Sequence, residues 1–260
     1  MKYFKVLKQL IAMSAGTYLA SRLDIASYFL GKLVRFGFFL LFLLALFTWT
    51  DNLVGYSAHE TILFFLTFNL IDVLAQAFFR GIYLIKNDVK QGNFDFALAR
   101  PVSPLFYSML RMVDILDIIF LLPIIGLIIW AVAKLNIVIS VMGLFAYLAF
   151  VFLSLILVLA IHVLSAAVTI YFVETENFIW LYRELMTIGR VPPEIFSPAI
   201  SFLFTFIFPI IIIVAFPVKI ILGILTPEYM ILSIFYAAFF FLFSLVLWEK
   251  ALLKYGSASS

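Results

Sequence analysis

The stretch VISVMGLFAYLAFVFLSLILVLAIHVLSAAVTIYFV, residues Val138–Val173, runs for 36 residues without one Asp, Glu, Lys or Arg. A helix needs about 20 mostly apolar residues to cross the hydrocarbon core of a membrane. This stretch is therefore long enough to cross a bilayer. Its extra length predicts either a strong tilt or a helix that continues into water.

The composition of the whole chain points to the same class of protein. Hydrophobic residues make up 66% of the 260 residues, charged residues make up 12%, and the mean hydropathy is +1.22. A soluble domain carries about 25% charged residues, and so few charges could not cover a globular surface. The chain contains no cysteine, which excludes disulfides, thiolate metal sites and thiol nucleophiles. We predict an all-α integral membrane protein with one transmembrane domain over residues 1–260.

Six segments of the chain are long and apolar enough to be membrane spans. Their approximate bounds are Leu30–Trp49, Thr61–Phe79, Ile115–Ala133, Val138–Val173, Phe196–Ala215 and Tyr229–Trp248. Proline removes a backbone hydrogen bond from a helix, so kinks are expected at Pro123 and Pro209.

The lysines and arginines are distributed unevenly between the two sides of these spans. Of the 17 in the chain, all but Lys134 and Lys219 fall on one side, which includes Arg183 and Arg190 after the fourth span. Cytoplasmic segments of membrane proteins carry an excess of these residues. Both termini and the loop at residues 80–112 are therefore predicted to be cytoplasmic.

The N-terminal residues 1–22 have an amphipathic helical pattern. One face carries Tyr3, Phe4, Val6, Leu7, Leu10 and Ile11, and the opposite face carries Lys2, Lys5 and Lys8. This pattern predicts a helix that lies in the membrane surface with its lysines toward anionic lipid. We favour this interpretation over a cleaved signal peptide, because the apolar run is short and broken.

The sequence lacks the motifs of an enzyme. His59 follows a GYS sequence that has no second glycine, and the pair His162 and Ser165 is typical of a hydrogen-bonded packing contact. There is no HExxH motif and no phosphate-binding loop. We predict no catalytic residue, no metal site and no cofactor bound by this chain.

The polar residues Asn69, Asp72 and Gln76 share one face of the second span, at spacings of three and four. An ionisable residue within a membrane span is a candidate functional site, and Asp72 could be an ion-coupling group. An interhelical hydrogen-bond contact explains the same pattern, and both interpretations stay open. Asp114 and Asp117, near the start of the third span, are expected to be solvated by interfacial water.

The segment QGNFDFALARP, Gln91–Pro101, interrupts the apolar sequence with polar residues and turn formers. Gly92 is suited to end a helix in the left-handed conformation, and Asn93 or Asp95 can cap a short helix through Leu98. Pro101 then ends it, and Ser103-Pro104 begins the next helix. The pattern predicts a short helix across the membrane face with Asp95 and Arg100 exposed.

KQGNFDFALARPVSP, residues 90–104, followed by an apolar span, resembles the signature of ABC type-2 transporter permeases. The similarity is to the branch of compact six-span permeases with a separate ATPase subunit. That branch shows a Gly, an Asp three residues later, a Leu and an Arg-Pro pair, matched here by Gly92, Asp95, Leu98, Arg100 and Pro101. Ile207–Gly223 resembles its fifth span with the paired prolines Pro209 and Pro217, and LWEKALLKYGSASS, with Trp248, Tyr255 and Ser257, resembles its closing segment.

The resemblance implies a permease subunit of an ATP-driven exporter. Two such subunits, identical or paired with a sister permease, would sit among membrane lipids on two ATPase subunits that bind ATP and Mg. The loop between spans two and three carries the coupling helix in related transporters, which would assign ATPase coupling to Gly92, Asp95, Leu98, Arg100 and Pro101. The implied location is the inner, plasma membrane of a prokaryote, with no nucleic-acid partner.

Two further expectations concern the transport path. After Pro217 the chain is too short to cross the membrane again before Thr226-Pro227, so either a re-entrant hairpin at the outer face or a tilted helix end is expected. Pro209, Pro217 and Gly223 would belong to this exit region. The alternative function is a secondary transporter or channel that uses Asp72, although the first and last three spans show no repeat of the kind such transporters often have.

Overall fold

The computed structural model describes residues 2–20, 22–135, 139–172 and 178–256, and it describes the side chains of these residues outside 17–24. The predicted ends of the fourth span, Val138 and Val173, and Ser257 in the C-terminal tail lie outside the described residues.

The described residues form α-helices joined by short turns, with no β-strand among them. The helices are α1 Lys2–Ala20, α2 Arg22–Leu46, α3 Ala58–Phe79, α4 Ile85–Gln91, α5 Phe94–Leu98, α6 Pro104–Leu110, α7 Ile115–Lys134, α8 Val141–Tyr171, α9 Phe178–Met186, α10 Pro198–Phe202, α11 Ile210–Ile221 and α12 Pro227–Lys254. Turns of 3₁₀-helix at Arg80–Leu84, Thr187–Arg190 and Pro193–Ile195 and a π-helical turn at Leu203–Ile207 complete the chain.

Five of these helices, α2, α3, α7, α8 and α12, are long and apolar enough to cross a membrane. They confirm the all-α membrane class and the first, second, third, fourth and sixth predicted spans. In the second span, which begins with α3, 72% of the most apolar stretch of 18 residues is buried. The corresponding buried share is 6% in α2 and 17% in α12. The second span is therefore the centre of the bundle, and the outer faces of the others are free to meet lipid or another protein.

The bundle has two ends, which we name from the segments that they carry. The basal end carries residues 80–111. The distal end carries residues 47–57, which connect α2 to α3. The end of α12 lies at the basal end, where the Lys254 ammonium sits 3.7 Å from the centre of the Tyr171 ring.

Residues 178–195, which we call the crossing limb, run along α3 from the basal end to the distal end. At the basal end, the Arg183 guanidinium lies 5.9 Å from the centre of the Tyr83 ring. At the distal end, the Tyr56 hydroxyl donates a hydrogen bond of 3.1 Å to the Glu194 carboxylate. The limb consists of α9 followed by two 3₁₀ turns, so no single apolar run marks it in the sequence.

The predicted fifth span, Phe196–Ala215, is a bent pair of helices. Pro198–Ile207 and Ile210–Ile221 meet at an angle of 99°. The expected kink at Pro209 is therefore confirmed, and its cause is local. A residue before proline is pushed out of helical geometry, and Phe208 has φ −113° and ψ 94°.

Both arms of this pair return to the distal end, so we call Pro198–Ile221 the hairpin. Pro198 and Lys219 line one distal cavity of about 450 Å³ together with Glu194, and the Lys219 ammonium lies 2.6 Å from the Glu194 carboxylate. The bend is therefore earlier than the sequence analysis placed it, because α11 continues through Pro217 to Ile221. Gly223 then takes φ +72° and ends the helix.

The hairpin is stabilised where Pro217 breaks its hydrogen bonding. Proline has no amide hydrogen, so the carbonyl four residues earlier, that of Ile213, loses its usual donor. The buried hydroxyl of Ser154 on α8 lies 2.6 Å from that carbonyl oxygen and 2.8 Å from the Phe150 carbonyl oxygen of its own helix, so it shares its one hydrogen between the two and supplies the missing donor for Ile213. Irregular backbone at membrane depth is tolerated where protein groups satisfy it, and Ser154 meets this condition.

This arrangement predicts a double-mutant result. Ser154→Ala should lower the stability of the purified protein by about 1–3 kcal/mol, the cost of a buried unsatisfied carbonyl. In a Pro217→Ala background the new amide can bond to Ile213, so the same substitution should cost clearly less. Thermal unfolding in detergent measures both effects. Ser244→Ala is the control, because that buried hydroxyl bonds only within its own helix. Equal costs in the two backgrounds would contradict this assignment.

Candidate functional site

The segment from α4 to α6 forms a folded unit on the basal end. Gly92 ends α4 with φ +72°, as the sequence analysis predicted. The short helix α5 follows Asn93 and ends at Leu98, and α6 begins at Pro104. The predicted capping contact is not formed by Asn93, whose amide instead bonds to the Gln91 side chain at 3.0 Å.

Helix α5 has one buried face and one exposed face. Phe94 and Ala97 are buried, whereas Phe96 is 69% exposed and Leu98 is 39% exposed. Both residues therefore leave apolar surface exposed on the outside of the unit. The sequence analysis did not single out Phe96, although its position two residues after Phe94 places it on the opposite side of a helix.

The buried face of α5 is packed against the basal ends of α8 and α12. Phe94 meets the rings of Trp248 and Tyr255 edge to face, with ring centres 6.3 Å and 5.2 Å away. These residues belong to one hydrophobic cluster with Val163 and Ala166 on α8. Helix α5 therefore contacts α12 directly and shares a hydrophobic cluster with α8.

A hydrogen bond joins α5 to the end of α12. The Tyr255 hydroxyl donates to the Asp95 carboxylate at 2.9 Å. Burial and this bond raise the pKa of the Tyr255 phenol to about 12, so the phenol keeps its proton at neutral pH. Asp95 is half-buried, and the expectation that it is exposed was wrong because α12 ends against it.

Arg100 and Pro101 lie beyond α5, and both are exposed. The sequence analysis expected this exposure for Arg100. The Arg100 guanidinium sits 4.1 Å from the centre of the Tyr107 ring on α6. This cation–π contact holds the Arg100 charge against α6. We use the name α5 face for the three exposed residues Phe96, Leu98 and Arg100.

The intramembrane polar residues occupy a second site. Asn69, Asp72 and Gln76 all line a cavity of about 400 Å³ between α2, α3 and the crossing limb. The Asn69 amide donates to the Phe65 carbonyl at 2.7 Å, and the Gln76 amide donates to the Tyr83 hydroxyl at 2.7 Å. Two of the three polar groups therefore have protein partners, and Asp72 faces the cavity.

The sequence analysis expected Asp114 and Asp117 to be solvated by water at the membrane surface, and this expectation was wrong. Both carboxylates are buried, with Asp114 paired to Arg80 and Asp117 paired to Lys32. Asp114 also accepts the backbone amides of the first turn of α7. A buried carboxylate needs such partners, and the cations come from α2 and from the turn after α3.

Arg190 is also placed differently from the sequence analysis, which counted it with the cytoplasmic charges. It lies within the bundle on the crossing limb and lines the same cavity as Asp72. Its guanidinium sits 5.2 Å and 5.0 Å from the ring centres of Phe39 and Phe68. Counting lysines and arginines on each side of the spans could not place Arg190 inside the bundle, because the crossing limb has no long apolar run that would mark it as a membrane segment.

Both histidines pack against aromatic rings. His162 is buried, with Nδ1 2.8 Å from the Val158 carbonyl and its ring among those of Phe79, Tyr83 and Tyr182. His59 lies beside the Trp130 ring at the distal end. Among the described residues, no three acidic, histidine or cysteine side chains are grouped closely enough to hold a metal ion.

A comparison with known families agrees with this architecture. The family model described as "ABC-2 family transporter protein" matches residues 33–259. No curated protein and no solved structure gives a significant match. Members of the matched family are membrane components of ABC transporters, which are not themselves catalytic and work with an ABC ATPase partner. Since the match covers most of the sequence, this chain belongs to the ABC-2 transporter family and is a multi-pass permease.

Proposed function

We propose that this chain is the membrane subunit of an ATP-driven exporter, in which the α5 face docks onto a separate ABC ATPase. The observation that carries this proposal is the division of α5 into two faces. The buried face is attached to α8 and α12, and the exposed face presents Phe96 and Leu98 to a partner. Such a helix can receive a force from outside and pass it to the bundle.

Both the composition and the position of the α5 face support docking. Interface centres are enriched in aromatic residues and arginine, and this face combines Phe96 with Arg100. Gly92 and Pro101 bracket the helix with a left-handed turn and a helix-ending proline, which hold its length to one turn and a half. The predicted coupling residues Gly92, Asp95, Leu98, Arg100 and Pro101 thus divide into three roles: fixing the helix, anchoring it to α12, and contacting the partner.

The proposed complex contains two ATPase subunits and two permeases, either identical or paired with a sister chain. The basal end faces the cytoplasm of a prokaryotic cell, because ATP is available there and most lysines and arginines lie at that end. Substrate would leave at the distal end beside the hairpin, where Pro209, Pro217 and Gly223 shape the backbone. Family membership favours this function over a secondary transporter driven through Asp72.

Removing the apolar side chain at the centre of the α5 face should weaken ATPase binding. Phe96→Ala is expected to reduce, by about tenfold or more, the amount of ABC ATPase that co-purifies with the tagged permease from its native membrane, as for an interface hot spot. Membrane levels should be unchanged, because surface substitutions cost within about 0.5 kcal/mol.

The matched control is Phe38→Ala, since Phe38 is similarly exposed, at 71%, but lies on α2. Phe96→Asp and Leu98→Asp extend the test, because each places a negative charge in the proposed contact with the ATPase. If all three α5 variants co-purify as much ATPase as the wild-type permease does, the partner docks elsewhere.

Two exposed asparagines test the orientation in a chain that has no native cysteine. Asn52 lies in the distal connection and Asn93 precedes α5. A membrane-impermeant maleimide should label Asn52→Cys in intact cells and should label Asn93→Cys only after the membrane is opened. Labelling of Asn93→Cys from outside intact cells would place the basal end outside and exclude docking of a cytoplasmic ATPase.

A further inference from the structure

The cavity between α2, α3 and the crossing limb combines a cationic wall with an aromatic wall. Among the described residues that line it, the cations are Lys32, Arg35, Arg80, Arg183 and Arg190, and the one acidic residue is Asp72. The rings of Phe36, Phe39, Phe65, Phe68 and Phe120 also line the cavity. This combination is suited to a molecule with an anionic head and an apolar body.

Among the residues whose side chains the structure describes, the positive charges of the cavity outnumber the negative charges. Lys32 is paired with Asp117, and Arg80 is paired with Asp114. The structure shows no salt bridge from a described residue to Arg35, Arg183 or Arg190. Among the described residues that line the cavity, Asp72 is therefore the one carboxylate present for three guanidinium groups.

Glu184, the other acid near Arg190, does not change this balance. It contributes to the electrostatic environment of Arg190, but its side chain is exposed and does not line the cavity. The Nε of Arg190 is buried and has no hydrogen-bond partner among the described residues. Charge within a membrane span is costly unless it is paired, so an anion bound here would stabilise the arginines.

The geometry of the arginines favours a phosphate group. The guanidinium is planar and forms paired hydrogen bonds with phosphate oxygens. Contacts with Phe39 and Phe68 hold the Arg190 guanidinium over the aromatic wall. Basic pockets between membrane helices are known sites for anionic lipid headgroups.

The cavity also has an opening through which a lipid can enter. Arg35 is exposed, and it lies on α2, the span with the least buried surface. A lipid in the surrounding bilayer could move sideways past α2, placing its headgroup among the arginines while its chains remain against the phenylalanines. A free phosphate could reach the same arginines from the basal side.

We propose that this cavity binds the phosphate group of an anionic lipid, between Arg35, Arg183 and Arg190 and over the phenylalanine wall. The proposal concerns binding by the permease alone. It does not require the α5 face to dock an ATPase, so the two proposals can fail separately.

Native mass spectrometry of the purified permease tests the site, with phosphatidylglycerol compared against phosphatidylcholine of the same acyl chains. Wild-type protein should retain phosphatidylglycerol in preference to phosphatidylcholine. Arg190→Gln and Arg35→Gln should each reduce that retention by about tenfold, or about 1.4 kcal/mol. Asp72→Asn should retain at least as much lipid as wild type, because it removes the negative charge of the cavity.

Two controls separate the site from general effects of charge and folding. Lys250→Gln removes an exposed cation from α12, far from the cavity lining, and should leave lipid retention unchanged. Arg35 is exposed, so its replacement tests the site even if Arg190→Gln fails to fold.

A parallel measurement with inorganic phosphate distinguishes the source of the anion. If phosphate raises the thermal stability of wild type but not of Arg35→Gln, and the two lipids are retained equally, the site binds a soluble phosphate compound. If the arginine variants retain the anionic lipid as wild type does, and phosphate stabilises wild type and variants equally, the cavity is not an anion site.

Discussion

Within a membrane every backbone polar group must find its partner in the protein, and this constraint governs the shape of the bundle. The long helices satisfy it internally. The hairpin cannot, because Pro209 and Pro217 remove amide donors, so it depends on its neighbours. The Ser154 hydroxyl bonds to the Ile213 carbonyl, and the Tyr236 hydroxyl bonds to the Phe206 carbonyl at 2.6 Å. The hairpin is therefore held by α8 and α12. The same two helices share a hydrophobic cluster with Phe94 of α5.

This shared attachment links the two ends of the molecule. At the basal end, Phe94 packs on Trp248 of α12, and the same hydrophobic cluster includes Val163 of α8. Farther along, α8 holds the hairpin through Ser154. Helices are stiff along their axes, so in the proposed mechanism a push on α5 would tilt α8 and α12 and shift the hairpin. Coupling would then need no change inside either helix.

Local sequence rules predicted the parts of the fold that depend on neighbouring residues. The turn at Gly92, the start of α6 at Pro104 and the break at Pro209 each follow from the backbone limits of one residue, and the structure has all three. Apolar length likewise predicted five of the spans as continuous helices. For α5, the exposed position of Arg100 was predicted, the exposure expected for Asp95 was wrong, and the outward position of Phe96 was missed.

What the sequence could not predict depends on contacts between distant segments. The crossing limb has no apolar run, so Arg190 looked like a loop charge until the structure placed it on the rings of Phe39 and Phe68. Asp117 looked interfacial because its partner, Lys32, lies on another span. Both cases have one physical cause: a charge can enter the bundle when a distant segment supplies its partner. Among the described residues, Arg190 has contacts with aromatic rings and no salt bridge, which is why its cavity is the place where we propose that an outside anion binds.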